Sequence, residues 1–242
     1  MEVIALPGIP EVRPGDDLAG LLTEASDPRD GDILVVTQRI VSKAEGRLVD
    51  LAEITPSAFA QGFAQRWDKD PRMVELVLRE SRRIVRMDRG IIIAETHHGL
   101  VCANAGIDAS NVVGESMVCL LPVDPDASAG ALRRGIRERT GADVAVVITD
   151  TFGRPWRAGQ TNVAIGVAGM EPLRDYVGTR DTQGRELRVT LIAVADEIAS
   201  AAELVMGKVE NVPAAIVRGY AYAPADGRAA ELVREPDKDL FR

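Results

Sequence analysis

The residues best able to do chemistry lie in one run, Ile148-Thr149-Asp150-Thr151-Phe152-Gly153-Arg154-Pro155-Trp156-Arg157. The apolar stretch 144–149 reads as a buried strand, and its end delivers a carboxylate and a hydroxyl to the rim of a core. Oxygen groups held in that way suit Mg²⁺ or Mn²⁺. Arg154 and Arg157 follow, and guanidinium groups bind phosphates through paired hydrogen bonds. The same residues have a plainer use, since Asp150 can simply cap a Gly/Pro loop. On these residues alone the two uses stand level.

Three further runs carry polar groups in suggestive places. Ala103-Asn104-Ala105-Gly106-Ile107-Asp108-Ala109-Ser110-Asn111 is rich in small residues, which let backbone approach a ligand closely. Within it Asp108 is a second candidate oxygen ligand, and Asn111 can hydrogen-bond a base or a phosphate. Read alone, the segment is first of all a turn between strands. Residues 38–47 place the Ser42 hydroxyl beside the Lys43 ammonium, a pairing that suits phosphate, although for such a segment alone a solvated charged loop is the commoner explanation. Gly207-Lys208 tempts a phosphate-loop reading, but GxxxxGK[ST] is absent and the pair ends a helix, where the dipole is negative. Lys208 therefore serves equally as a C-terminal charge. No GxGxxG supports a Rossmann site. His97 and His98 are the only histidines, and neighbours on a strand point to opposite faces, so they make a poor metal pair. HExxH is absent, and Cys102 with His98 makes no protease signature.

The elements that must hold these groups can be read from periodicity and punctuation. Residues 16–25 read as a short amphipathic helix, 30–32 as a turn, and 33–37 as a buried strand. Thr55-Pro56-Ser57 opens one helix with Pro56 near its first position, and Asp70-Pro71 opens another more cleanly. Met73, Val74, Val77 and Leu78 share a face of that second helix, and Arg82 and Arg83 suit its negative end. Residues 91–94 and 100–103 suggest a hairpin around His97-His98-Gly99. A helix is expected over 126–140, stopped by Gly141. Residues 162–167 and 187–195 read as strands, 196–206 as a helix stopped at Gly207, and 214–217 as a last strand. The polar end after Ala223 is expected to be loosely structured. Strands come in pairs and blocks rather than alternating with helices, which predicts an α+β fold of mixed, largely antiparallel sheets with flanking helices. One domain spans 1–242, with a possible subdomain boundary near 50–90.

Bulk properties narrow the partners. At 242 residues, 46% hydrophobic and 27% charged, the chain has an ordinary globular balance. A net charge of −8 and 4% aromatics argue against nucleic acid, which wants a basic face and stacking platforms. Small anions remain open as substrates, because a metal or a few local cations can hold them. Cys102 and Cys119 are too few and too far apart for a disulfide framework, which suits a reducing, cytoplasmic compartment. The start of the chain does not read as a signal peptide, and no apolar run approaches membrane-spanning length.

Five segments together resemble the F420-0:γ-glutamyl ligase family: LPGIP (6–10), TQRIVSKAEGR (37–47), HGLVCANAGIDASN (98–111), ITDTFGRPWRAGQTNVAIG (148–166) and DEIASAAELVMGK (196–208). They occur in the family's order and span nearly the whole chain, which ends like the family's stand-alone form. The resemblance implies an F420 glutamyl ligase-like fold and a GTP-dependent ligase. GTP would phosphorylate the terminal carboxylate of F420-0, and the amine of L-glutamate would displace phosphate from the acyl phosphate. Family members can then add further γ-linked glutamates. The resemblance also implies Mg²⁺ or Mn²⁺, two ions in all, together with K⁺ and a homodimer. On that analogy Asp108 and Asp150 share one metal as the catalytic carboxylates, and Thr151 helps hold the second. Leu6, Pro7, Gly8, Ile9, Ser42, Lys43 and Asn111 would line the GTP site, with Met206, Gly207 and Lys208 contributing to GTP and the second metal. Lys208 departs from the pattern, standing where some relatives are expected to supply an oxygen ligand, and Glu210 is the substitute within reach.

Overall fold

The computed structural model describes residues 1–109 and 116–240. In chain order its helices and strands are β1 (Glu2–Ala5), α1 (Leu18–Glu24), β2 (Ile33–Thr37), α2 (Gln38–Ala44), β3 (Leu48–Asp50), α3 (Ala58–Trp67), α4 (Pro71–Arg79), β4 (Ser81–Asp88), β5 (Ile91–Thr96), β6 (Val101–Ala103), β7 (Met117–Cys119), α5 (Pro125–Thr140), β8 (Ala145–Arg154), β9 (Arg157–Ala168), β10 (Arg174–Asp175), β11 (Leu191–Ile192), α6 (Val194–Met206) and β12 (Ala214–Arg218). Mixed, largely antiparallel sheets with flanking helices make this an α+β fold.

A five-stranded sheet, ordered β1-β12-β2-β8-β9, carries the architecture. β2 and β8 run parallel, from Ile33 opposite Ala145 to Thr37 opposite Thr149, and every other pairing in the sheet is antiparallel. Both faces are covered, which is why β2 reads as an unbroken apolar run. Leu34, Val36, Val146, Ile148 and Ile216 pack on one face against Leu22 of α1 and Leu132 and Ile136 of α5. Ile33, Val35, Val147 and Val217 pack on the other against Ile198, Ala202 and Met206 of α6. Caps mark the helix ends as their residue types predict. The Asp124 carboxylate accepts the Ala127 N–H at 3.0 Å at the start of α5, and Gly141 ends that helix at φ 77°.

Between α2 and α5 the chain builds a second group of elements. The meander β4-β5-β6 packs against α3 and α4 around Ala60, Ala64, Val74, Val77 and Ile92. The short pair β3-β7 packs with Leu76 around Leu51, Val118 and Leu120.

Several sequence expectations need correction. Pro56 precedes the cap of α3, where Ser57 accepts the Ala60 N–H. The helix that starts at Pro71 ends at Arg79, so Arg82 and Arg83 lie on β4. There they pair with the buried Glu95 carboxylate of β5, Arg83 at 2.9 Å and Arg82 at 3.7 Å. β4 has no buried residue and therefore shows no apolar alternation to detect. Only Leu191–Ile192 of the 187–195 stretch is strand, and Val189 is 87% exposed, so its β-branched side chain does not signal burial. Between Ala223 and Leu240 the chain is largely irregular and exposed, as expected, but it is tied down in places. It forms 3-10 turns at Ala229–Leu232 and Pro236–Lys238, and the Asp126 carboxylate accepts the Ala229 N–H at 2.7 Å.

The strand expected to stop at Asp150 runs on to Arg154. β9 continues to pair with it as far as Arg154 opposite Arg157, and Pro155 and Trp156 form only the two-residue turn. Trp156 sits there at φ 59°, where a side chain is strained. A register shift between Ile148 and Thr149 places one extra β9 residue just before Asp150. Such bulges recur beside active sites because they re-aim side chains.

Candidate active site

β2 ends at Thr37 and turns into α2, while β8 continues without that neighbour. The open edge of β8 faces a cavity of about 350 Å³ at the C-terminal ends of the two parallel strands. Ligands bind at such strand ends in open sheets because loops diverge there and leave backbone groups unpaired. Ile9–Glu11, Thr37–Ile40 with Lys43, and Gly207–Lys208 form the other walls, and Asp150, Thr151 and Asn162 form the strand side.

Successive strand residues point opposite ways, yet both Asp150 and Thr151 line this cavity. Asp150 keeps a little exposed surface, yet its carboxylate sits low in the cavity. Burial pushes its pKa up from 3.8 to about 6; the Thr151 N–H opposes this, the charge of Asp108 adds to it, and Arg39 and Lys208 lower it. The second group of elements delivers Asp108. Asn104 and Ala105 turn the chain at φ 50° and 52°, and Asp108 then exchanges backbone hydrogen bonds of 2.9 and 2.8 Å with Cys119. This docking aims the Asp108 carboxylate at Arg39, whose Nε and Nη2 lie 2.9 and 2.8 Å from Oδ2.

Along the same cavity the Lys208 ammonium meets three oxygens. It lies 2.7 Å from Thr151 Oγ1, 3.4 Å from Asn162 Oδ1 and 2.6 Å from Glu203 Oε1. Asn162 is buried and donates to Glu203 Oε2 at 2.8 Å, and Thr151 donates to Asn162 Oδ1 at 2.7 Å. Glu210 is no part of this cluster. Its carboxylate folds back on the Val209 N–H at 2.9 Å, and backbone amides hold its pKa below the usual value.

The remaining candidates divide clearly. Lys43 is 5% exposed, and its ammonium pairs with Glu11 at the cavity wall. Ser42 is fully buried behind that wall and donates at 2.9 Å to Oε1 of Gln38, a wall residue that is itself buried. Ile9 lines the cavity, Pro7 and Gly8 are exposed outside its lining, and Leu6 belongs to the core. Met206 likewise packs in the core under α6. Arg154 donates to the Ala158 carbonyl in the hairpin turn, and neither it nor Arg157 lines the cavity. Asn111 lies outside the described residues. His97 and His98 bond the carbonyls of Arg79 and Pro122, away from the site. Burial and the charge of Asp150 push the Cys102 thiol up to about 12, so it stays protonated. Sequence reasoning missed Arg39, Asn162 and Glu203. A polar Asn inside an apolar strand was the available sign of the second, whereas the others needed the fold.

A buried carboxylate that resists ionisation beside a second carboxylate fits one divalent cation, which would relieve both. Among the described residues no group of three or more His, Cys, Asp and Glu is placed to hold a metal alone. An ion at Asp108 and Asp150 therefore has to complete its shell with substrate or water oxygens, as Mg²⁺ ordinarily does. A second divalent ion at Thr151 does not fit, because Lys208 occupies those oxygens.

Acidic oxygens, a buried ammonium and a strand-end cavity have the chemistry that suits anionic ligands bound with a cation. The comparisons give the particular family. The model of the family described as F420-0:Gamma-glutamyl ligase matches residues 8–219, and the chain belongs to that family. It is 50% identical over 239 residues to the coenzyme F420:L-glutamate ligase of Methanopyrus kandleri, covering 96% of this chain and 94% of the relative. It is 48% identical over 250 residues to the enzyme of that name from Methanothermobacter thermautotrophicus, covering 100% and 99%. A third such relative, from Haloarcula marismortui, is 45% identical over 249 residues. No helix among the described residues is long and apolar enough to cross a membrane.

Proposed function

We propose that this chain is a GTP-dependent ligase that joins L-glutamate to F420-0 in coenzyme F420 biosynthesis, and that it can add further γ-linked glutamates. Full-length similarity to relatives named for glutamate ligation supports the substrate. The single structural observation that carries the chemistry is Asp150 in a cavity with Lys43 in its wall, with Asp108 close enough to raise its pKa and paired to the cavity-lining Arg39.

In this reading the GTP phosphates lie along Lys43 and the Gly207–Lys208 segment, where two ammonium groups offset their charge. The terminal carboxylate of F420-0 attacks the γ-phosphorus; the new O–P bond forms as the bond to GDP breaks. The glutamate amine then attacks the acyl carbon, the C–O bond to phosphate breaks, and a proton is released as the amide forms. Arg39 fixes the direction of the Asp108 carboxylate by its double contact. Burial disfavours the charged form of Asp150 until a cation meets its carboxylate. Asp108 and Asp150 would hold Mg²⁺ or Mn²⁺, which supplies charge neutralisation at the transferring phosphoryl group. A homodimer, K⁺ dependence and a cytoplasmic location complete the proposal.

The test is mass spectrometry of a reaction with purified protein, F420-0, L-glutamate, GTP and Mn²⁺. Products heavier by glutamyl units, lost with chelator or with ATP in place of GTP, are expected. No product while GTP and F420-0 still bind would refute the ligase reading.

A further inference from the structure

We propose that Lys208 is the resident second cation of this site: its ammonium fills the oxygen cage of Thr151, Asn162 and Glu203, so one divalent ion binds here rather than two. The inference rests on the ligase reading above and concerns how that site is charged.

The cage is built rather than incidental. An ammonium has three donors and no acceptor, and three oxygens from three different residues surround this one at 2.6, 2.7 and 3.4 Å. Asn162 is buried, and its amide nitrogen is held by Glu203, so its oxygen must face the lysine. Thr151 gives its own proton to Asn162, which leaves oxygen lone pairs for Lys208. Without the lysine, this set of one carboxylate and two neutral oxygens would match the taste of a hard divalent cation. Gly207 brings the lysine there by adopting φ 62° and ψ −168°, which turns the chain back towards Thr151 as α6 ends. The Lys208 side chain is about half exposed, yet its ammonium already takes up these oxygens, and a divalent ion at contact distance from it would be repelled.

A tethered charge differs from an exchangeable one. It neutralises the phosphate end of the cavity at any metal concentration, whereas the Asp108 and Asp150 ion comes and goes with supply.

Counting Mn²⁺ on the protein saturated with the β,γ-imido analogue of GTP, by equilibrium dialysis and by electron paramagnetic resonance, tests this. Wild type is expected to hold one Mn²⁺ per chain with an uncoupled spectrum. Lys208→Gln and Lys208→Met are expected to hold two, with spin coupling between them. Two ions on wild type, or only one on both folded variants, overturns the proposal. No ion on wild type overturns it together with the metal assignment of the ligase reading, whereas two ions leave that reading standing.

Discussion

Asp150 shows how function and stability oppose each other in one side chain. The unfolded chain releases its proton near 3.8 and the folded chain at about 6, so between these values the folded state binds more protons. Unfolding free energy therefore falls as pH rises through that window in metal-free protein. Asp150→Asn should remove this penalty, raising stability at pH 7.5 by about 1–2 kcal/mol while abolishing ligation. Urea denaturation and the mass-spectrometric assay check the two halves, and a less stable variant would refute the electrostatic account. Protons should also compete with metal at this carboxylate. Mn²⁺ affinity measured by titration calorimetry is expected to fall about tenfold for each pH unit below the folded pKa of about 6. Lys43 acts at the same scale through a charge-assisted contact. Lys43→Ala should raise KM for GTP about tenfold or more, as loss of such a bond implies, with a smaller change in kcat. Initial-rate kinetics over a GTP series decide it.

At the scale of elements, the strand edge matters more than any loop. β8 was legible as a strand from 144–149, but its continuation to Arg154 was not, because exposed polar residues on a hairpin leave no apolar period. Its position depends on a close approach between β9 and α5. A Cβ on Gly166 would clash with the Pro125 carbonyl group, which is backbone and cannot swing aside. Gly166→Ala should therefore cost about 1–3 kcal/mol, as overpacking does. A midpoint unchanged in urea would show that the two elements separate easily. α5 was readable at its C-terminal end, where Gly141 acts locally, whereas its start at Pro125, capped by Asp124, falls one residue before the expected Asp126. β4 was not, since its place is set by pairing with β5 and by ion pairs to Glu95.

At the scale of the molecule, the site joins segments that are far apart in the chain. The N-terminal loop, the β2–α2 junction, β8, β9 and the end of α6 meet at one cavity, and Asp108 arrives from the second group of elements. A ligand bridging them should tighten the whole fold, since it binds only the native arrangement. GTP with Mn²⁺ at a hundredfold excess over Kd should stabilise by about 2.7 kcal/mol. For a chain of this size that corresponds to a rise in Tm of about 5–10 °C. Differential scanning fluorimetry with and without chelator measures it, and a rise that survives chelator would separate nucleotide binding from the metal.

The sequence by itself determined what local chemistry can determine. Continuous apolar runs marked β2 and the start of β8, Asp70 marked the start of α4 and Gly141 the end of α5, and the five motifs pointed to the family. It also marked Asp108, Asp150, Thr151 and Lys43 as groups worth following. Only the tertiary structure decided which of these meet. Ser42, Leu6 and Met206 turned inward because strand and helix phase place them in the core. Arg39, Asn162 and Glu203 turned towards the site, through contacts that span from about forty to about seventy residues of chain. Such partners leave no local period or spacing to read, because their proximity is a property of sheet order and helix packing. The cation at Thr151 is of the same kind: a lysine ending a helix in the sequence becomes, in the fold, the centre of an oxygen cage.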